Sequence, residues 1–140
     1  MLRNMGFCCL AVLIQLSFEW KSQAAPDGSN GVRYTVIISG IGGEAKYEEA
    51  HWNWASGIYN VLQEEHKIPQ DRLFLLVPDP TIDPALPAKK SNLTTIEQTF
   101  GTLSQRLTDS DLLFVILIGH GSATGWDPKL NIPGPDLTSS

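Results

Sequence analysis

The sequence predicts an α/β domain with three layers, α/β/α, around a mainly parallel sheet. Three observations carry this. Short apolar runs alternate with helical periodicities in the order β-α-β-α-β. The last run, Leu112 to Ile118, is apolar at every position, the pattern of a strand covered on both faces. The first and last runs end directly in glycine turns, as strands do where they deliver functional groups at the carboxyl edge of a parallel sheet. Connections in this order are expected to be right-handed crossovers.

The elements follow in chain order. Residues 1–24 read as a secretory signal peptide: Arg3 gives a positive start, Met5 to Phe18 an apolar stretch broken at Gln15, and Ser22-Gln23-Ala24 a small-residue cleavage pattern. The apolar stretch is shorter than the roughly 20 residues of a comfortable membrane span, so a secreted or periplasmic product is expected, with no membrane association after cleavage. Residues 25–32 form a linker, polar and Gly/Pro-containing from Pro26 to Asn30, and residues 33–140 form the domain. Tyr34 to Ser39 is a β-branched strand that enters Gly40-Ile41-Gly42-Gly43. Tyr47, Ala50, Trp54, Ile58, Val61 and Leu62 then recur at helical spacing up to Pro69, which places Trp54 in the core.

Leu73 to Val77 is the second strand. Pro78, Pro80, Pro84 and Pro87 make residues 78–91 an irregular loop. A second helix is expected from Thr94, where Thr94-x-x-Glu97 fits a capping box, with Ile96, Phe100, Leu103 and Leu107 on its apolar face. Asp109-Ser110-Asp111 breaks it before the third strand, Leu112 to Ile118. Residues 123–140, with Pro128, Pro133 and Pro135, read as loop.

Composition narrows the function. The chain has 140 residues, 15 acidic and 10 basic, and a net charge of −5. Cleavage after Ala24 would remove Arg3, Lys21 and Glu19 and leave a net charge of −6. This balance argues against nucleic acid or an anionic membrane as partner, since both reward clustered Lys and Arg. Cys8 and Cys9 are the only cysteines and lie in the signal segment, so the domain has no disulfide and no thiol nucleophile of its own. Three dispersed histidines give no metal-ligand spacing, and no cofactor motif is complete: Gly40-x-Gly42-Gly43 continues to Ala45, not to a dinucleotide fingerprint or a P-loop.

His120 is the best candidate for chemistry. It follows a strand directly, between Gly119 and Gly121, where an imidazole can serve as general acid or base and the Gly121 amide can face an oxyanion. A histidine that only hydrogen-bonds within its loop is the competing reading. His51 and Trp52 either border a cleft or form a partly exposed helical face. His66 near the helix end reads as a favourable terminal charge. Asn92-Leu93-Thr94 is a glycosylation sequon, relevant only in a eukaryotic secretory pathway.

The strand and glycine turn, the segment Lys67-Ile68-Pro69-x-Asp71-Arg72-Leu73, and Asp111 to Ser122 with its Gly119-His120-Gly121-Ser122 terminus resemble the N-terminal half of a caspase/legumain-like cysteine peptidase domain, nearer the legumain branch (peptidase C13-like). The resemblance covers roughly residues 33–125, and Leu130 to Leu137 is similar to the segment after the catalytic histidine in some secreted bacterial relatives. It implies a caspase-like fold and a peptide or protein substrate. It makes His120 and Gly121 the catalytic histidine and oxyanion donor, and Gly42, Gly43 and Ser122 the substrate-bordering residues. In the family the nucleophilic cysteine follows the fourth core strand. Here the sequence stops after the third, so an inactive fragment of a longer product is expected. Legumain-like enzymes also place a basic residue between the first turn and the first helix. Glu44-Ala45-Lys46-Tyr47-Glu48-Glu49 stands there, so no Asn or Asp specificity follows.

A three-strand sheet also leaves the apolar third strand without one neighbour, an aggregation hazard unless another chain or a further segment pairs with it. Three rival readings stand beside this one. A Gly-His-Gly-Ser metal chelatase would carry the motif on its first strand. An α/β-hydrolase would need a Gly-x-Ser-x-Gly elbow, which this sequence lacks. A caspase-like domain that lost its nucleophile would serve only for binding.

Overall fold

A computed structural model of the chain describes residues 31–124 and 127–138. The expected signal peptide and residues 25–30 of the expected linker lie outside the described residues. The first apolar run forms β1 (Arg33–Ser39). Then come α1 (Ala45–Glu64), β2 (Leu73–Val77), β3 (Ala88–Lys90), α2 (Leu93–Arg106) and β4 (Leu112–Ile118). Three short strands follow: β5 (Gly121–Thr124), β6 (Asp127–Leu130) and β7 (Leu137–Thr138).

The first four strands make a parallel sheet in the order β3-β2-β1-β4, and the last three a separate antiparallel sheet in the order β5-β6-β7. The chain is thus mixed α/β with a parallel sheet flanked by helices. Alternate residues of β1 face opposite layers. Ile37, with Leu75, Val77 and Ile118, meets Ala55 and Tyr59 of α1. Tyr34, Val36 and Ile38, with Leu76, meet Ile96 and Leu103 of α2, and Ile132 from the β6–β7 connection closes that cluster.

One side chain fixes where β1 enters the sheet. Asp111 Oδ1 accepts the Val32 amide at 2.7 Å, and its Oδ2 accepts the Thr108 amide at 2.8 Å and the Thr108 hydroxyl at 3.0 Å. The Leu112 amide donates to the Val32 carbonyl at 2.9 Å, which starts the β1–β4 ladder. The residue that stops the second helical pattern therefore also sets the register of the following strand.

Several expectations change. The helical face of α1 is rotated by about one residue. His51, Ala55 and Tyr59 are its buried stripe, while Tyr47, Val61 and Trp54, 58% exposed, lie outside. An apolar count passes over a stripe that contains histidine and tyrosine, and Ala55 is the small residue that lets the helix approach the sheet. The cap of α2 is Asn92, not Thr94: Asn92 Oδ1 accepts the Thr95 amide at 2.9 Å, two residues before the expected capping box. Its apolar face is as expected, with Ile96 and Leu103 buried and Phe100 and Leu107 half-buried. Within the Pro-rich loop, Ala88 to Lys90 pair with β2, and the tail expected to be loop forms β5–β7. Both are backbone ladders too short to leave a side-chain periodicity.

The largest correction concerns β4. It lacks one neighbour, as a three-strand reading expects, but its faces are not covered as its apolar pattern predicts. Leu112, Phe114, Val115 and Leu117 are 44–55% exposed. Phe114 lies toward the α1 layer, and Val115 and Leu117 toward the α2 layer, so the unpaired edge is uncovered on both faces.

Two predictions follow from these contacts. Asn92→Ala should cost about 1 kcal/mol in denaturant unfolding, while Thr94→Ala should leave the midpoint nearly unchanged. The bonds from Val32 and then Thr108 hold the Asp111 carboxyl below the usual carboxylate range. A depressed folded-state value means that this contribution is full above the ordinary value and is lost as pH falls through the folded one. Asp111→Asn should therefore lower the melting temperature at neutral pH, and the gap to the parent chain should narrow below about pH 4.

Candidate functional site

The carboxyl ends of β1, β2 and β4 gather the residues of interest. Gly40 follows β1 and donates its amide to the Ile118 carbonyl at 2.7 Å. Beside it runs Gly119: a Cβ there would lie 3.3 Å from Gly40 Cα, and a Cβ on Gly40 would lie 2.3 Å from the Asn131 carbonyl oxygen. Two bare backbones therefore cross at this point, and no side chain larger than hydrogen fits the crossing at Gly40. The β6–β7 connection locks it, since the Ile41 amide donates to the Asn131 carbonyl at 2.9 Å and the Asn131 amide to the His120 carbonyl at 3.0 Å.

His120 lies just past the carboxyl end of β4, where the sequence places it, and is exposed. Its ring meets Tyr47 edge-on, with centroids 4.6 Å apart, and lies 5.1 Å from the ring of His51. His51 is only 4% exposed. Its Nδ1 lies 3.3 Å from the Gly40 carbonyl, which can only accept, so Nδ1 carries the proton in this contact. Of the two readings of His51, the partly exposed helical face is wrong and the cleft border is right: it is buried at the centre of the site, between the β1 turn and His120. Its signal was in the sequence, at four and eight residues before Ala55 and Tyr59, the stripe that an apolar count missed.

The other expected residues are dispersed around this centre. Gly121 opens β5 and pairs with Leu130. Ser122 is exposed on the same strand. Gly43 is exposed with φ 75°, a left-handed conformation suited to glycine. Gly42 is buried beneath the first turn of α1: a Cβ there would lie 2.4 Å from the Glu48 amide nitrogen. His66 lies past the end of α1, away from His120.

A cavity of about 360 Å³ adjoins the centre. It lies between α1 and the loop joining β2 to β3. Trp52, half-buried, and His51 form its helical wall, while Ser39 and Val77 lie at the strand ends. The cleft reading of His51 and Trp52 matches this helical wall, whereas the loop wall, from Pro78 to Ile82, has no periodicity that would show it. Among the described residues no group of three or more His, Cys, Asp or Glu could hold a metal ion, and His120 has one imidazole neighbour.

A scan of protein-family models and searches of curated proteins and of solved structures give no match to this chain.

Gly42→Ala should force the first turn of α1 away from the β1 turn. The expected loss is about 1–3 kcal/mol, typical of overpacking, measured as a lower denaturation midpoint. An unchanged midpoint would mean that the turn and helix do not press on each other as described.

Proposed function

We propose that this domain supplies the histidine half of a secreted, caspase/legumain-like cysteine endopeptidase site. One observation carries the reading: the strand that ends in His120 is the open edge of a parallel sheet. A further parallel strand hydrogen-bonded to β4 would lie about 4.8 Å away. Its carboxyl end would then reach His120, where the family resemblance expects a cysteine. In that arrangement the thiolate attacks the peptide carbonyl, His120 protonates the leaving amine, and the Gly121 amide faces the oxyanion. Water then hydrolyses the thioester and frees the cysteine. Gly42, Gly43 and Ser122 border the substrate in this reading, Gly42 through the turn it lets close. Residues 1–140 by themselves, lacking the nucleophile, are inactive.

The exposed edge supports a second reading, a non-catalytic caspase-like domain that binds another chain through β4. The coding sequence beyond codon 140 separates the two. The peptidase reading expects an apolar strand ending in cysteine. The longer product should then hydrolyse peptides, and both His120→Ala and a thiol alkylator should abolish the activity. A strand ending in serine or alanine, or a stop codon after Ser140, would select the binding reading. Peptide hydrolysis by residues 25–140 alone that is lost on His120→Ala would overturn both.

A further inference from the structure

The cavity beside His51 has a chemistry that neither His120 nor the open edge explains. Its floor is one row of the sheet. Ile38 pairs with Leu76, which sets Ser39 beside Val77, and Val77 pairs with Lys90. Ser39 shares the α1 side of β1 with Ile37, is 0% exposed, and has no hydrogen-bond partner for its hydroxyl. A buried hydroxyl in this state costs free energy that a ligand's donor or acceptor would recover.

The polar groups around that hydroxyl are mostly acceptors. The Gly40 carbonyl has only the long contact from His51. Asp79 accepts from the Thr81 amide at 2.9 Å and the Thr81 hydroxyl at 2.6 Å, and these bonds, aided by the charge of Lys90, keep it ionised. Among the described residues Lys90 is the one cation lining the cavity, and the field it exerts on Asp79 offsets it against that carboxylate. Glu48 also lines the cavity and has no ion-pair partner among the described residues. The remaining wall is apolar and flat: the Trp52 indole, with Ile82 and Pro133.

We propose that this cavity binds a guanidinium group on an alkyl stem, and that in the peptidase it takes an arginine side chain of the substrate. A guanidinium offers five donors and no acceptor, which suits Ser39 Oγ, the Gly40 carbonyl and the Glu48 carboxylate. Its plane can lie on the Trp52 ring, and the stem finds apolar cover in Ile82 and Pro133. The charge balance agrees, with two carboxylates against one ammonium. His51 forms the wall shared with His120, so a side chain in the cavity belongs to a peptide passing that histidine. The arginine-substrate part rests on the peptidase reading; guanidinium binding does not.

The test titrates the full chain with n-butylguanidine and with n-butylurea, a neutral probe of nearly the same shape, while following backbone amide resonances. Butylguanidine should shift the Ser39, Gly40 and Glu48 amides saturably, and butylurea should bind at least tenfold more weakly. Glu48→Gln should weaken butylguanidine by about tenfold, a difference of about 1.4 kcal/mol, and leave butylurea unchanged. Lys90→Met should tighten butylguanidine. Glu48 is exposed, so a preserved amide spectrum will show that its variant folds. Equal affinity for the two probes, no saturable shift, or an unaltered preference in Glu48→Gln would overturn the assignment. Guanidinium binding in a chain whose longer product lacks peptidase activity would keep the cavity assignment and remove the enzyme reading. An active peptidase whose cavity ignores butylguanidine would do the reverse.

Discussion

β1 has no edge and almost no surface open to water: from Tyr34 to Ser39 every residue is buried. Its backbone groups must therefore be satisfied by neighbours on both sides, since unpaired amides and carbonyls in that position each cost free energy comparable to a lost hydrogen bond. β2 satisfies one side and β4 the other. The rest of the architecture follows from this. α1 joins β1 to β2, and α2 joins the edge strand β3 to β4 in the opposite direction along the sheet, so right-handed crossovers put the two helices on opposite faces. They also bring the ends of β1, β2 and β4 together at one margin of the sheet. His120, the Gly40 crossing and the cavity all lie along that margin because β1 is where it is.

The two outer strands are treated very differently. β3 is three residues long and ends in Lys89 and Lys90, both exposed. Short length and lysine are the ordinary protections of a sheet edge. β4 has seven residues, no charge and no proline. Nothing in its sequence discourages pairing, and its exposed side chains point into both layers. The flank of α1 adds Tyr47 and Trp54, and the Tyr47 contact with His120 places that flank toward β4. The uncovered surface is therefore a three-layer cross-section, not a single missing strand position.

Much of this was legible in the sequence. The three long runs of the parallel sheet appear as apolar segments and both helices as periodicities. His120 was legible because it stands where a strand meets two glycines. What failed shares one cause: the signal lay in the backbone or in polar groups. β3 and β5–β7 are ladders of two to four residues. The α2 cap rests on one amide oxygen. The buried stripe of α1 includes a histidine held by a carbonyl, and the cavity is walled by a loop. The burial of β4 was misread for a different reason. Apolar character on both faces reports what a strand is suited to contact, and does not report whether the contact is made.

The placement of β1 also bears on the order in which the chain can be built during synthesis. β1 ends at Ser39 and β4 begins at Leu112. The strand that must be covered on both sides therefore leaves the ribosome roughly 80 residues before its second neighbour is complete, a delay of several seconds at typical elongation rates of about 5–20 residues per second. α1, β2 and α2 emerge in between and can shelter both faces but only one edge. For that interval the nascent chain holds its most completely buried strand paired along one edge only.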